Sequence, residues 1–182
     1  MIRISTVAVL TALSLVACNP APTAGAGGTA EPSSRTLAAE LKGARDLGTL
    51  RAVLANSGLE KVLEGVGPYT VFAPINGAFA DAEDVDFRDE GEKAQAAAFL
   101  RSHMVPGAVT RTDVLAAIGR AEDGQVELRT LDNGLITMTR EGEAVVATLA
   151  DGARAVLTED EILASNGVIQ PIDGVLLKPP AA

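Results

Sequence analysis

Apolar positions in the first part of the chain's domain recur with a helical period. Leu37, Leu41 and Ala44 share one face of a predicted helix over 36–45, and Leu47, Leu50, Val53 and Leu54 share one face of the next. Gly58 interrupts this second helix. Ser57 and Glu60 have the spacing of a capping box that would restart a short helix carrying Val62 and Leu63, which Gly65 and Gly67 then stop. At Tyr69 the pattern changes to a β-branched and aromatic run, Thr70, Val71, Phe72 and Ala73, as expected of a buried strand. Pro74 has no N–H to donate and ends the ladder, and Asn76 is placed to cap a short helix that carries Phe79 inward.

Residues 91–104 (GEKAQAAAFLRSHM) read as an Ala-rich helix with Phe99, Leu100, His103 and Met104 on one face, closed by Pro106 and Gly107. Thr110 and Asp113 suggest a further cap before Val114, Leu115 and Ile118. The period then becomes alternating. Val126, Leu128 and Thr130 precede Ile136 and Met138, with Asn133-Gly134 as a tight hairpin turn between them. Glu141-Gly142 and Asp151-Gly152 punctuate two further short strands, and 168–177 is a strand-like apolar run interrupted at Pro171. Helices come first, then a meander, then a closing strand able to return and pair with 69–73. That order predicts an α+β domain.

Composition sharpens this picture. Hydrophobic residues are 47% of the 182 and aromatics only 3%, so the core must be aliphatic. A formal charge of -9 argues against nucleic acid as a partner and against electrostatic docking on anionic lipid.

The amino terminus adds a compartment. Arg3 supplies a small positive region and 7–16 a short apolar one, too short for a comfortable membrane span, so 1–17 reads as an export signal. Leu15-Val16-Ala17-Cys18 resembles a bacterial lipobox, in which Cys18 becomes the lipidated first residue and attaches the protein to a membrane. Cys18 is the only Cys. Residues 18–35, rich in Pro, Gly, Ala and Ser, read as a flexible tether, and about sixteen such residues reach roughly 20–25 Å as a coil. The domain is then 36–180. Asn19 after the Cys favours the outer membrane in a host that sorts lipoproteins as enteric bacteria do.

Catalytic chemistry finds little material. His103 is the only His, and its place on an apolar helix face favours a core residue bonded to a backbone carbonyl over a general base. There is no G-x-S-x-G elbow and no phosphate-cradling glycine loop. One His and one Cys committed to lipid leave no zinc set, so neither metal nor cofactor is expected. The acidic stretch 81–92 lacks the spacing of a calcium loop and reads as a solvated surface. Asn166 and Gly167 read as turn residues, and Asp173-Gly174 as a turn or bulge.

Three blocks resemble the fasciclin domain family. TVFAPINGAF, 70–79, is similar to its TVFAPTNxAF block. SNGVIQPIDGVLLKP, 165–179, is similar to its closing NGVIHVID-x-VLLP block, through Asn166, Gly167, Val168, Ile169, Ile172, Asp173, Val175, Leu176 and Leu177. SHMVPG, 102–107, is similar to its YHVVPG segment through His103, Pro106 and Gly107. The resemblance covers roughly 47–179. It implies a wedge-shaped β-sandwich of about seven strands flanked by several short helices. It also implies a noncatalytic adhesion or binding role toward proteins or glycans at the cell surface or in the periplasm. A second role, carriage of an apolar ligand such as a carotenoid or lipid, occurs in the same family.

The chain departs from the pattern in four places. In animal members integrin contact is attributed to the Tyr-His segment and to an Asp-Ile motif before the closing block. Here Ser102 replaces the Tyr and Glu161-Ile162 stands for Asp-Ile, so no integrin partner is carried over. Gln170 stands where the closing block has His, and Pro171 where it has Val, which predicts a closing strand that is irregular or at an edge.

Overall fold

The computed structural model describes residues 31–80, 90–158 and 160–177. Cys18, the export segment and positions 81–89 of the acidic stretch lie outside them. Thr36 caps α1 (Leu37–Gly43) by accepting from the Ala39 amide, and a 3-10 turn at Arg45–Leu47 leads into α2 (Gly48–Ser57) and α3 (Glu60–Glu64). Leu37, Leu41, Leu47, Leu50, Val53, Leu54 and Leu63, the positions at helical spacing, are buried.

The chain then enters β1 (Tyr69–Pro74), a 3-10 turn at Asn76–Phe79, α4 (Lys93–Ser102), β2 (Met104–Pro106) and α5 (Arg111–Arg120). The meander follows as β3 (Gln125–Arg129), β4 (Leu135–Glu141), β5 (Ala144–Leu149) and β6 (Arg154–Val156), and the chain closes with β7 (Ile162–Ala164) and β8 (Gly167–Ile172). The strands form two four-stranded sheets, ordered β2-β1-β8-β7 and β3-β4-β5-β6. The closing strand does return to the opening one: β8 lies parallel to β1 in register from Tyr69↔Gly167 to Pro74↔Ile172.

Two apolar layers flank the first sheet. Val71, Ala73 and Ile169 face α1–α4 with Phe99, Leu100 and Met104, while Phe72 and Ile172 face the second sheet and α5 with Ile136, Met138, Val145 and Val114. This alternation along β1 and β8 follows from the period of two in a strand buried on both sides. The fold is therefore α+β: helices, sheet, sheet.

Several local expectations change. Ser57 does not cap α3; its hydroxyl donates to the Leu54 carbonyl and accepts from the Leu59 amide, because Gly58 (φ 73) turns the chain left-handed directly after it. Asn76 does not cap its own turn. Its Oδ1 accepts from the Thr49 amide at 2.9 Å and so caps the start of α2 across the fold. Phe79 is half-buried, its ring 5.9 Å from that of Phe99. The predicted helix over 91–104 is shorter: it ends at Ser102, since Met104 is drawn into β2 by pairing with Val71. Among the described residues there are eight strands rather than about seven, and the three-residue β7 has no alternation that a sequence pattern could reveal.

The prolines sit where their missing donors do no harm. β2 pairs with β1 only from Tyr69 to Val71, so Pro74 lies past the end of that ladder. β8 is an interior strand, not an edge, but β7 covers only Gly167 to Ile169 of it, leaving Pro171 beyond that ladder as well.

Candidate functional site

The motif residues converge on the junction between α4, β1 and β8, where side chains replace backbone ladders as fasteners. Thr70 is buried on β1. Its hydroxyl donates to the Gly107 carbonyl and accepts from the Val109 amide, each at 2.8 Å, fixing the connector between β2 and α5.

Asn166 sits in the β7–β8 turn and is also buried. Its Oδ1 accepts from the Leu37 amide at 2.7 Å, one of the unpaired donors at the start of α1. Its Nδ2 donates to the carbonyls of Leu63 at 2.9 Å and Gly65 at 2.7 Å, at the end of α3. One amide thus ties two helix ends to the closing block. Beside it, a Cβ on Gly167 would stand 2.0 Å from the Tyr69 carbonyl oxygen, so only glycine permits β8 to approach β1 this closely.

His103 follows the last residue of α4 with no exposed surface. Its Nδ1 is 2.8 Å from the Phe99 carbonyl oxygen and 3.1 Å from Ser102 Oγ, and Leu176 N–H donates to Nε2 at 3.0 Å. A carbonyl on one side and an N–H on the other fix the neutral tautomer, protonated at Nδ1. The ring stacks on Phe99 with centroids 4.2 Å apart. Burial pushes its pKa down to about 4, against a weaker opposing pull from the Phe99 carbonyl and Asp132. Nδ1 is thereby engaged within α4 and Nε2 ties that helix end to the closing segment, so no lone pair is left for a substrate or a metal.

The remaining motif residues divide between core and surface. Val168, Ile169, Ile172 and Leu176 are buried, Val175 is half-buried, and Pro106, Asp173 and Leu177 are exposed. Asp173 ties the end of β8 to β6: its Oδ1 accepts from the Val156 amide at 2.6 Å, and its own amide donates to the Val156 carbonyl.

Two departures from the motif pattern meet in space. Gln170, 1% exposed, donates through Nε2 to Glu161 Oε2 at 2.7 Å, and the same carboxylate oxygen accepts from the Arg111 amide at 2.6 Å. Glu161 therefore sits at the start of α5, where its charge complements the helix dipole. The Thr110–Asp113 capping box completes that terminus, and the Thr110 bonds hold the Asp113 carboxyl below its usual range. The sequence carried no signal for this pairing, because Glu161 and Arg111 are remote in the chain.

On the outer surface a groove of about 410 Å³ runs beside α1, α2 and α3, lined by Lys42, Gly48, Arg51, Ala52, Leu54, Ala55 and Glu60. Lys42 pairs with Glu60, and Arg51 donates to the Lys42 carbonyl, so the polar rim is largely self-paired. Val66, at the loop after α3, is 96% exposed. Among the described residues no group of His, Cys, Asp and Glu could hold a metal ion, and no helix is long and apolar enough to cross a membrane.

Comparison with known proteins agrees with this architecture. A family model described as the fasciclin domain matches residues 45–178. "Protein sll1483" of Synechocystis is 30% identical over 159 residues, covering 82% of this chain and 77% of that protein. Transforming growth factor-beta-induced protein ig-h3 of Sus scrofa is 31% identical over 131 residues, but this chain spans only 17% of its length. Among solved structures, a FAS1 domain pair from the insect cell adhesion molecule fasciclin I superposes with a TM-score of 0.70 at 18% identity, covering 81% of this chain and 52% of that one. With most of its length matched by the family model, and with the paired blocks meeting as β1 and β8, this chain belongs to the fasciclin domain family.

Proposed function

We propose that the protein is a noncatalytic, envelope-anchored adhesion domain that presents its outer surface to proteins or glycans. The observation that carries this reading is the state of the motif residues. The buried polar ones, Thr70, His103 and Asn166, are bonded to the backbone of other parts of the fold. A domain built this way has its chemistry committed to shape, which suits recognition by surface rather than by a reactive centre. The solved fasciclin I pair comes from a cell adhesion molecule, which supports the same role class.

In this reading Cys18 carries the lipid and residues 18–35, which begin with it, lead from the membrane to the domain. Intact mass of detergent-extracted protein should show acylation at Cys18, and Cys18→Ser should move the protein from the membrane to the soluble fraction. A Cys18→Ser protein that stays membrane-bound would remove the anchor from the account. For the partner, residues 31–182 immobilised and exposed to envelope extract should retain a defined protein or polysaccharide that competes with the soluble domain. Retention of an extractable pigment or lipid by the purified domain would point instead to a carrier.

A further inference from the structure

The segment that ends the described chain is held by a single polar tie. Among the described residues one hydrogen bond is made by 174–177, from Leu176 N–H to His103 Nε2 at 3.0 Å. Upstream, Asp173 is fastened twice to Val156. Leu176 itself is fully buried between the sheets, while Leu177 is 38% exposed. The segment is thus an apolar plug on a short strap, and its polar latch is an imidazole.

We propose that His103 makes this strap an acid-sensitive latch. Nε2 can accept from Leu176 only while it is unprotonated. A second proton turns it into a donor facing a donor, and the Leu176 amide and the imidazolium are then both left unsatisfied in the core. The other groups around the ring offer little relief. Nδ1 already has the Phe99 carbonyl, which Ser102 Oγ also uses, and the Phe99 ring covers one face. On α4 the neighbouring Arg101 is exposed and brings no negative charge to the ring. Among the described residues Asp132, in the β3–β4 turn, is the carboxylate that favours the charged ring, and it does so from a distance without a hydrogen bond. β2 carries no titratable side chain at Met104, Val105 or Pro106. Protonation is met most cheaply by letting Leu176 go, which opens 174–177 and gives the imidazolium water.

The burial-depressed pKa of about 4 sets the window. If the ring titrates near 6.5 once the strap is open, opening becomes roughly 30-fold more populated at pH 5 than at pH 8. Amide hydrogen exchange on the full chain, with protection factors corrected for the intrinsic pH dependence, tests this. Protection at Leu176 should fall by that factor from pH 8 to pH 5 through an opening that urea does not promote, while Met138 and Ala147 in the second sheet exchange only through urea-promoted unfolding. His103→Gln, whose amide cannot titrate, should abolish the pH dependence at Leu176. The latch is wrong if Leu176 stays protected at pH 5, or if its exchange rises with urea as that of Met138 and Ala147 does. Should His103→Gln fail to fold, the contrast between Leu176 and the second sheet in the natural sequence decides alone.

Discussion

His103 and Asn166 show how a polar residue can stabilise an aliphatic core when every one of its hydrogen-bonding atoms is satisfied. Truncating Asn166 to Ala would leave the Leu37 amide and the Leu63 carbonyl buried without partners. With about 1–3 kcal/mol for each unsatisfied group, the loss should be about 3 kcal/mol in urea denaturation. His103→Ala should cost a similar amount through the lost ring and the orphaned Leu176 amide, lowering the melting temperature at pH 7. An unchanged melting temperature would count against the structural role. The pH dependence has a definite sign. A folded pKa of about 4 against about 6.5 unfolded means the unfolded state binds the extra proton, so stability is full above 6.5 and falls as pH drops toward 4. The loss from this residue is roughly 3 kcal/mol, and a domain with His103→Gln should lack it.

Among the elements, legibility tracks how local the determining interaction is. The helices α1, α2 and α5 and the β3–β4 hairpin were readable because period, cap and turn lie within a few residues; Asn133 indeed takes φ 72. The opening and closing strands were readable from their β-branched and apolar runs. What escaped reading was set by distant partners. Asn76 caps α2 rather than its own turn, Glu161 caps α5, and α4 stops early because β1 takes Met104 into a strand. The three-residue β7 has too short a pattern to register. The close approach of Gly167 to Tyr69 yields a sharp expectation at this scale. Gly167→Ala must push β8 away from β1, because the added Cβ would meet backbone rather than a yielding side chain. Loss of cooperative unfolding, or a destabilisation of at least about 3 kcal/mol, should follow. A domain that tolerates Ala with its melting temperature intact would show that the two strands can separate freely.

For the whole molecule, the two apolar layers on either side of the first sheet make one body in which the motif blocks occupy the middle. That placement explains why the same residues that reveal the family say nothing about its partner. In the proposed adhesion role, partner contact would fall to surfaces such as the α1–α3 groove and the Val66 loop, whose residues carry no motif. The fold was thus legible in the sequence through its interior, and the contact surface was not, since nothing in a solvent-facing pattern distinguishes a recognised face from a hydrated one. Attachment of whole cells tests the central claim most directly. Deleting the gene should reduce surface attachment and aggregation, the full chain should restore them, and the Cys18→Ser chain should not. Attachment that is unchanged by the deletion would contradict an anchored adhesion domain.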